Sequence, residues 1–392
     1  MRLIHLLVLT IPLLAYGCGN IGPPVLERQV LGYDEITSTL DQKLLLLNIA
    51  RLSHGHPVHF TATSSIAATF DWTTSIGAGA TVAESSGTNL FNFDFGASAS
   101  ENPTFQIVPI TGKAFSEQIL EPFDETGFQF HVFPRRDNID RVLRLIVAGF
   151  EFQNPDGSHA SYVENNPRRV REYEMFRRMV MHLDWLNENR KLFIRPLIFE
   201  RVVLDGLEVP PRGQDIIKDE GLTWKRKSDG TYLVTRLTAG RLVIMNRDST
   251  AMTDNEQFRL NEKLKKNPKG HVYVEITPDG PGGDFPIRGA LKIRSVLQIL
   301  TFVADGIEFA KEFDVSPDPS TGKIDVNPRA TLEIIVTSSP PISDGVWMRY
   351  RDRYYSVANT RWDREAFSIL GHLFETAVGD VEDVGIPITI SK

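Results

Sequence analysis

The amino-acid sequence predicts an α+β fold, with a mixed α/β body preceded by a long amphipathic antiparallel β-hairpin near the N-terminus. Helix and strand patterns are interspersed without the regular strand-helix-strand alternation that is typical of parallel sheets. A content of 41% hydrophobic and 24% charged residues in a chain of 392 residues is typical of globular proteins. This length accommodates two or three domains.

The N-terminus has the pattern of an export signal. Arg2 is basic, Leu3 to Leu14 is mostly apolar, and Ala15-Tyr16-Gly17 precedes Cys18. This layout is typical of a cleavable secretory signal. The apolar run is shorter than the roughly 20 residues that a membrane-spanning helix needs, so we expect removal rather than a permanent anchor.

Cys18 is the only cysteine of the chain. Its position after Ala-Tyr-Gly resembles the lipobox of bacterial lipoproteins, which implies that its thiol is lipidated and becomes the new N-terminus. The alternative is an ordinary signal peptide followed by an unmodified thiol. Gly19 follows where some bacteria use aspartate for inner-membrane retention, so the resemblance implies the outer membrane with a periplasmic body.

The sequence therefore predicts four segments: a signal peptide (1–17), a lipid-anchored linker (18–32), a helix with the long hairpin (33–112) and an α+β body (113–392), in which 205–220 is a candidate subdomain break. A mature chain without a second cysteine cannot form an internal disulfide. A modest net charge of −7 and export both argue against a nucleic-acid partner. No cofactor is predicted.

A helix is predicted from Leu40 to Leu52, where leucine and isoleucine recur at helical spacing. Gly55 and Pro57 form a good stop signal for it. The next stretch, Leu52 to Gly112, contains no lysine or arginine and is rich in Gly, Ala, Ser and Thr.

Within this stretch, apolar residues alternate with small or polar ones in two runs, Ile66–Ala83 and Phe91–Ser100, which is the period of a β-strand. Glu84 to Asn89 between them is rich in turn-forming residues. Closing a hairpin symmetrically on this turn predicts the cross-strand pairs Val82–Phe91, Ala80–Phe93, Ala78–Phe95 and Ile76–Ala97. The resulting apolar face, our candidate for contact with membrane, contains Trp72, Ile76, Ala78, Ala80, Val82, Phe91, Phe93 and Phe95.

Two interpretations of this hairpin remain open. Several subunits would each donate one to a shared transmembrane β-barrel, because a lone hairpin in lipid exposes unpaired backbone groups. Strands of about 9–11 residues are long enough to cross a bilayer. Alternatively, the apolar face lies on the core of a soluble β-domain, as is common in antiparallel sheets.

In the body, apolar spacing and turn residues predict further elements. We expect helices over Asn138–Phe150, Arg168–Arg190 and Ile293–Ala310, and a last helix preceded by a capping box of Thr360 and Asp363. The strands are expected at Leu192–Leu204, Trp224–Arg236 (a hairpin), His271–Ile276, Thr331–Val336, Gly345–Val357 and Ile386–Ile390.

Several sequence blocks in this order resemble a family of uncharacterised bacterial envelope lipoproteins. The blocks are Leu44–Arg51 (LLLLNIAR), Glu101–Thr104 (ENPT) with Pro109, Gly112 and Phe115, Arg294–Gly306, Phe367–Phe374, and Pro387–Ile390 (PITI). The resemblance spans most of the mature chain. It implies an envelope location and brings no known activity or catalytic residues.

The chain lacks a recognisable catalytic motif, with no Gly-x-Ser-x-Gly elbow and no His-Glu-x-x-His pair. His54, His56 and His59 are weak metal candidates, and a solvated turn is the preferred interpretation because structural zinc needs four ligands. The glycine-rich Thr277–Phe285 lacks the lysine of a phosphate loop, which favours a flexible surface loop.

Five arginines between Arg168 and Arg178 suggest contact with anionic headgroups, but intervening acids favour a solvated helix face. The sequence as a whole indicates a non-enzymatic outer-membrane lipoprotein, an oligomeric envelope or export component whose hairpins build a shared barrel. The alternative is a monomeric lipid-anchored periplasmic scaffold that binds another envelope protein.

Overall fold

The computed structural model describes residues 22–81, 90–110, 112–125, 127–128, 139–154, 156–210, 221–342, 345–378 and 388–391. The predicted lipidation site Cys18 and the hairpin position Val82 lie outside these residues. Helices and mixed sheets in the described residues confirm the α+β class.

The described chain contains seven α-helices and thirteen β-strands. The helices are α1 (Gly22–Ser53), α2 (Lys113–Leu120), α3 (Ile139–Ile146), α4 (Val170–Glu188), α5 (Asp254–Leu264), α6 (Val296–Glu308) and α7 (Arg361–Val378). The strands are β1 (Phe60–Thr81), β2 (Leu90–Ile110), β3 (Val147–Gln153), β4 (His159–Glu164), β5 (Phe193–Leu207), β6 (Leu222–Arg226), β7 (Tyr232–Met245), β8 (His271–Ile276), β9 (Ile287–Ile293), β10 (Ile334–Thr337), β11 (Trp347–Tyr350), β12 (Arg353–Val357) and β13 (Ile388–Ser391).

The chain forms two compact units. Unit 1 comprises residues 1–45, 58–115 and 381–392, and unit 2 comprises residues 46–57 and 116–380. The helix predicted over Leu40–Leu52 is confirmed as part of α1, which begins at Gly22 and so includes much of the segment assigned to a linker. A turn with Gly55 in the left-handed region follows its last residue.

Unit 1 contains a three-stranded antiparallel sheet in the order β1-β2-β13. Its hairpin strands are 22 and 21 residues long, about 70 Å of extended chain each. At the base, β13 pairs with β2 between Thr104 and Ile107. A register shift between Thr63 and Ser65 interrupts the ladder near its lower end.

The predicted hairpin register is wrong by two residues. Ala80 lies opposite Phe91, Ala78 opposite Phe93, and Ile76 opposite Phe95. The predicted partition into an apolar and a small or polar set is retained, because side chains alternate with period two and a shift of two leaves every position on the same face. Facial patterning therefore could not distinguish the two registers.

Unit 2 is built on a sheet in the order β4-β3-β9-β8-β7-β5, with β6 pairing with β7. All described neighbours in it are antiparallel except β7 and β8, which are parallel. The core on the side of β5 is formed by Leu197, Val243, Met245, Tyr273 and Leu264, the last from α5. A second small sheet has the order β10-β12-β11.

Most predicted elements of the body are confirmed, and His271–Ile276 coincides with β8. The helix predicted over Asn138–Phe150 is partly wrong, because it ends at Ile146 and the chain continues as β3. Arg294 explains this boundary, since its guanidinium donates to the carbonyls of Arg144 (3.1 Å) and Leu145 (2.9 Å). These carbonyls at the helix end therefore have side-chain partners.

Candidate functional site

The apolar positions of the hairpin form a band along one face of the β1-β2 ladder. On β1 they run from Trp72 to Ala80, and on β2 from Phe91 to Ala99, with Trp72 opposite Ala99. The next position on this face pairs Phe70 with a charged residue, Glu101. The described part of the band without a charged residue thus covers about nine residues per strand, which is close to the roughly 9–11 residues of a membrane-crossing strand. Beyond Glu101 the same face continues with the pairs Ala68–Pro103 and Ile66–Phe105.

A tryptophan lies next to the one charged position on this face. Trp72 is opposite Ala99, one position along the face from the pair Phe70–Glu101, and tryptophan is enriched where transmembrane strands meet the membrane-water interface. The opposite face of the same ladder pairs Thr73 with Ser98, Ser75 with Gly96, and Gly77 with Asp94. The observed register therefore keeps one apolar and one small or polar face.

The three predicted metal candidates are not brought together as ligands. The His54 Nε2 atom lies 2.7 Å from the hydroxyl of Tyr355, and the His56 Nδ1 atom lies 2.6 Å from that of Tyr350. Arg351 donates to the His56 Nε2 atom at 2.9 Å, which places a cation where a metal would bind. No group of three or more His, Cys, Asp or Glu side chains in the described residues is arranged to hold a metal ion.

The residues that sequence analysis missed are buried charges in unit 2. Arg144 is fully buried, and its Nη2 atom lies 3.5 Å from Glu312, whose side chain is only 8% exposed. The Glu312 carboxylate also accepts hydrogen bonds from Tyr173 (2.7 Å) and from the backbone and hydroxyl of Thr331. Burial opposes ionisation, but Arg144 and these hydrogen bonds hold the pKa of Glu312 below its ordinary value.

Arg144 and Arg177 hold the segment 309–333 in place, which has no helix or strand of its own. Arg144 donates to the carbonyls of Pro328 and Arg329 at 3.0 and 2.9 Å. Arg177 donates to Asn327 at 2.6 Å. A long irregular segment inside a compact body needs such anchors for its backbone polar groups.

Arg177 corrects the prediction of a solvated arginine face. Arg177 is only 1% exposed, and its guanidinium donates to the Tyr173 hydroxyl at 3.0 Å. Arg168, Arg169 and Arg171 in the same stretch are exposed, as predicted. One feature of the sequence could have indicated this burial. Arg177 lies four residues after Tyr173, on the buried side of α4.

Asp184 is a buried carboxylate of α4 that lies beside the start of α3. Its Oδ1 atom accepts a hydrogen bond from the backbone of Asp140 at 3.2 Å. Burial and the nearby charge of Asp140 raise the pKa of Asp184 to about 7. The group therefore changes its ionisation in the physiological range of pH.

His182 connects two loops in the core. Its Nε2 atom donates to the carbonyl of Gly282 at 2.9 Å, so that Nδ1, 2.9 Å from the Thr321 hydroxyl, is the acceptor of the neutral ring. Burial lowers the pKa of His182. Asn246 binds the same glycine-rich loop through Thr277 and Pro281, so the loop predicted to be flexible is anchored at several points.

A cleft of about 550 Å³ runs beside the anchored segment. Three of the carboxylates that line it have partners in the chain: Asp325 pairs with Lys323, Glu333 with Arg329, and Asp363 with Thr360 at the start of α7. The geometry favours a structural role for these groups.

No helix in the described residues combines the length and the apolar character needed to cross a bilayer. Comparisons with protein-family models, with curated proteins and with solved structures found no match. The resemblance to envelope lipoproteins stays a prediction.

Proposed function

We propose that this protein is a non-enzymatic lipoprotein of the bacterial outer membrane, anchored through Cys18, and an oligomeric component of the envelope or of an export system. Its hairpins combine to build one shared β-barrel, while the α+β body faces the periplasm. The observation that supports this proposal best is the antiparallel ladder of β1 and β2, with its apolar band of membrane-crossing length.

The composition of the hairpin supports the same proposal. Lysine and arginine on the lipid face of a barrel cost about 2–4 kcal/mol each near the bilayer midplane, and the stretch from Leu52 to Gly112 has neither. The small or polar face with Thr73, Ser75 and Ser98 suits a wet lumen. A single hairpin cannot close a barrel, so the proposal requires several copies.

The first test compares the native acylated protein in mild detergent with a variant in which residues 69–102 are replaced by an Asn-Gly turn. Ala68 and Pro103, which flank the deletion, are ladder partners, so the base of the hairpin and its pairing with β13 are retained. We expect a discrete oligomer by light scattering for the native protein and a monomer for the variant. Monomers in both samples would contradict the proposal.

A second candidate function is a monomeric lipid-anchored scaffold that binds another envelope protein. It is favoured by exposed apolar side chains on one face of the β5-β7 ladder, Leu237 (63% exposed), Val202 (54%) and Ile198 (44%). Contiguous exposed apolar surface is typical of protein interaction sites. If the native protein is monomeric, substituting serine for Leu237 and Val202 should abolish capture of the partner by the body.

A further inference from the structure

Among the described strands, most of the length of the two outer edges of the hairpin sheet has no strand partner. In the described residues, β1 has a partner only on the side of β2, and the outer edge of β2 is paired only where β13 covers Thr104 to Ile107. Open strand edges present unpaired N–H and C=O groups that template the addition of another strand.

The body of the same chain treats its own edge strand differently. On β5, the backbone N–H of Ile198 donates to Gln257 at 2.8 Å, and that of Glu200 donates to Asp254 at 2.6 Å. Both acceptors lie on α5, which packs along this strand. The edge of β5 is therefore covered by α5.

The usual protections of an open strand edge are confined to the base of the hairpin, where Pro103, Pro109 and the register shift between Thr63 and Ser65 lie. No lysine or arginine lies between Arg51 and Lys113. Pro103, which has no N–H to donate, directly precedes the β13 pairing at Thr104. The pairing of β13 with β2 ends at Thr104, next to this proline. No other described strand pairs with the outer edge of β2 from Leu90 to Asn102.

We propose that this open edge of β2 pairs with the open edge of β1 in a second copy of this chain, and that Pro103 and β13 mark the base of the resulting seam. The proposal rests on the proposed oligomeric function. The strand β1 is 22 residues long, so its edge can cover the whole open part of β2 from Leu90 to Asn102. Because the two are opposite edges of one ribbon, the contact is head-to-tail and repeats until a ring closes.

Disulfide cross-linking in the native membrane tests this seam, because the only native cysteine is the lipidation site. Copies carrying Ser98→Cys are co-expressed with differently tagged copies carrying one cysteine on the same face of β1, at Asp71, Thr73, Ser75 or Gly77. We expect one or two neighbouring positions of this series to form a cross-link between the two tags after oxidation. The control pairs Gln106→Cys, which lies opposite Thr389 of β13, with a cysteine near the base of β1 in the other copy, at Ser65, Ala67 or Thr69, and should form no such link.

A chain with both Gln106→Cys and Thr389→Cys reports whether β13 is in place, since these are ladder partners and should link within one chain. An oligomer that forms no Ser98 cross-link at any β1 position, with the internal link intact, would overturn the seam and leave the shared barrel standing. Cross-links between copies through Gln106 would overturn the assignment of the base. A monomer in the membrane would overturn both proposals.

Discussion

The two units differ in how their polar groups are paired. Unit 2 buries Arg144, Arg177 and Glu312, and each of them has hydrogen-bond partners in its own chain. The hairpin of unit 1 has no lysine or arginine at all and leaves backbone edges without partners among the described strands. This contrast supports the proposal that the hairpin is completed by a second copy of the chain.

Removing the acid of the buried network should have the largest effect. Glu312→Ala removes one of the two carboxylates beside buried Arg144, the other being Asp140 at 3.6 Å. Breaking a buried pair costs up to about 3–5 kcal/mol, and Tyr173 and Thr331 also lose their acceptor. Urea unfolding of the full chain measures the loss. The matched control is Glu333→Ala, whose carboxylate is 49% exposed and pairs with exposed Arg329, and it should change stability by less than about 1 kcal/mol. Equal losses in both variants would show that unit 2 does not depend on its buried charges.

Asp184 sets a pH dependence of the body. Its pKa of about 7 in the folded state lies above its ordinary value of 3.8, so the unfolded chain releases this proton first as pH rises. The contribution of this group to stability is therefore present at low pH and falls by about 4 kcal/mol between roughly pH 4 and 7, at 1.36 kcal/mol per unit.

In Asp184→Asn the amide oxygen still accepts from the backbone of Asp140, but no charge forms. Relative to the native protein, this variant should gain stability as pH rises from 4 to 8. Thermal unfolding across that range measures the difference, and Asp205→Asn on the surface provides the control. A constant difference at all pH values would be inconsistent with a buried, titrating Asp184.

A charge on the apolar band tests the role proposed for the hairpin. Phe93→Lys places a lysine opposite Ala78, in the middle of the proposed lipid-facing band, at a cost of about 2–4 kcal/mol for each subunit in a membrane. We expect loss of the membrane oligomer with unchanged unfolding of unit 2. Asn92→Lys, one position along on the opposite face, should still assemble. If Phe93→Lys instead unfolds the protein in detergent-free solution, the band lies on a soluble core.

The smallest expected effect concerns His182. Because burial lowers its pKa, the folded ring stays neutral while the unfolded ring takes up a proton below about pH 6.5. This contribution to stability is thus lost as pH falls, by at most about 2 kcal/mol at pH 5. His182→Gln should remove the acid-induced loss in thermal unfolding, whereas His159→Gln on the exposed β4 should not. An unchanged acid profile would assign the loss to other groups.

The sequence predicted the elements whose signals are local. Alternation identified both hairpin strands, an apolar β-branched run identified β8, and Thr360 with Asp363 identified the start of α7. Elements that depend on distant partners were missed or misjudged. The polar helix α5 was not predicted, because its pattern carries few apolar residues and its position follows from covering β5.

What the sequence by itself determined is therefore the class of fold, the export pattern around Cys18 and the two-faced character of the hairpin, because each depends on residues close together in the chain. The tertiary structure decided the hairpin register, since registers two residues apart place the same residues on each face. It also decided which charges are buried. Arg144 and Glu312 are 168 positions apart, and only the folded chain brings the carboxylate to the guanidinium that compensates its burial.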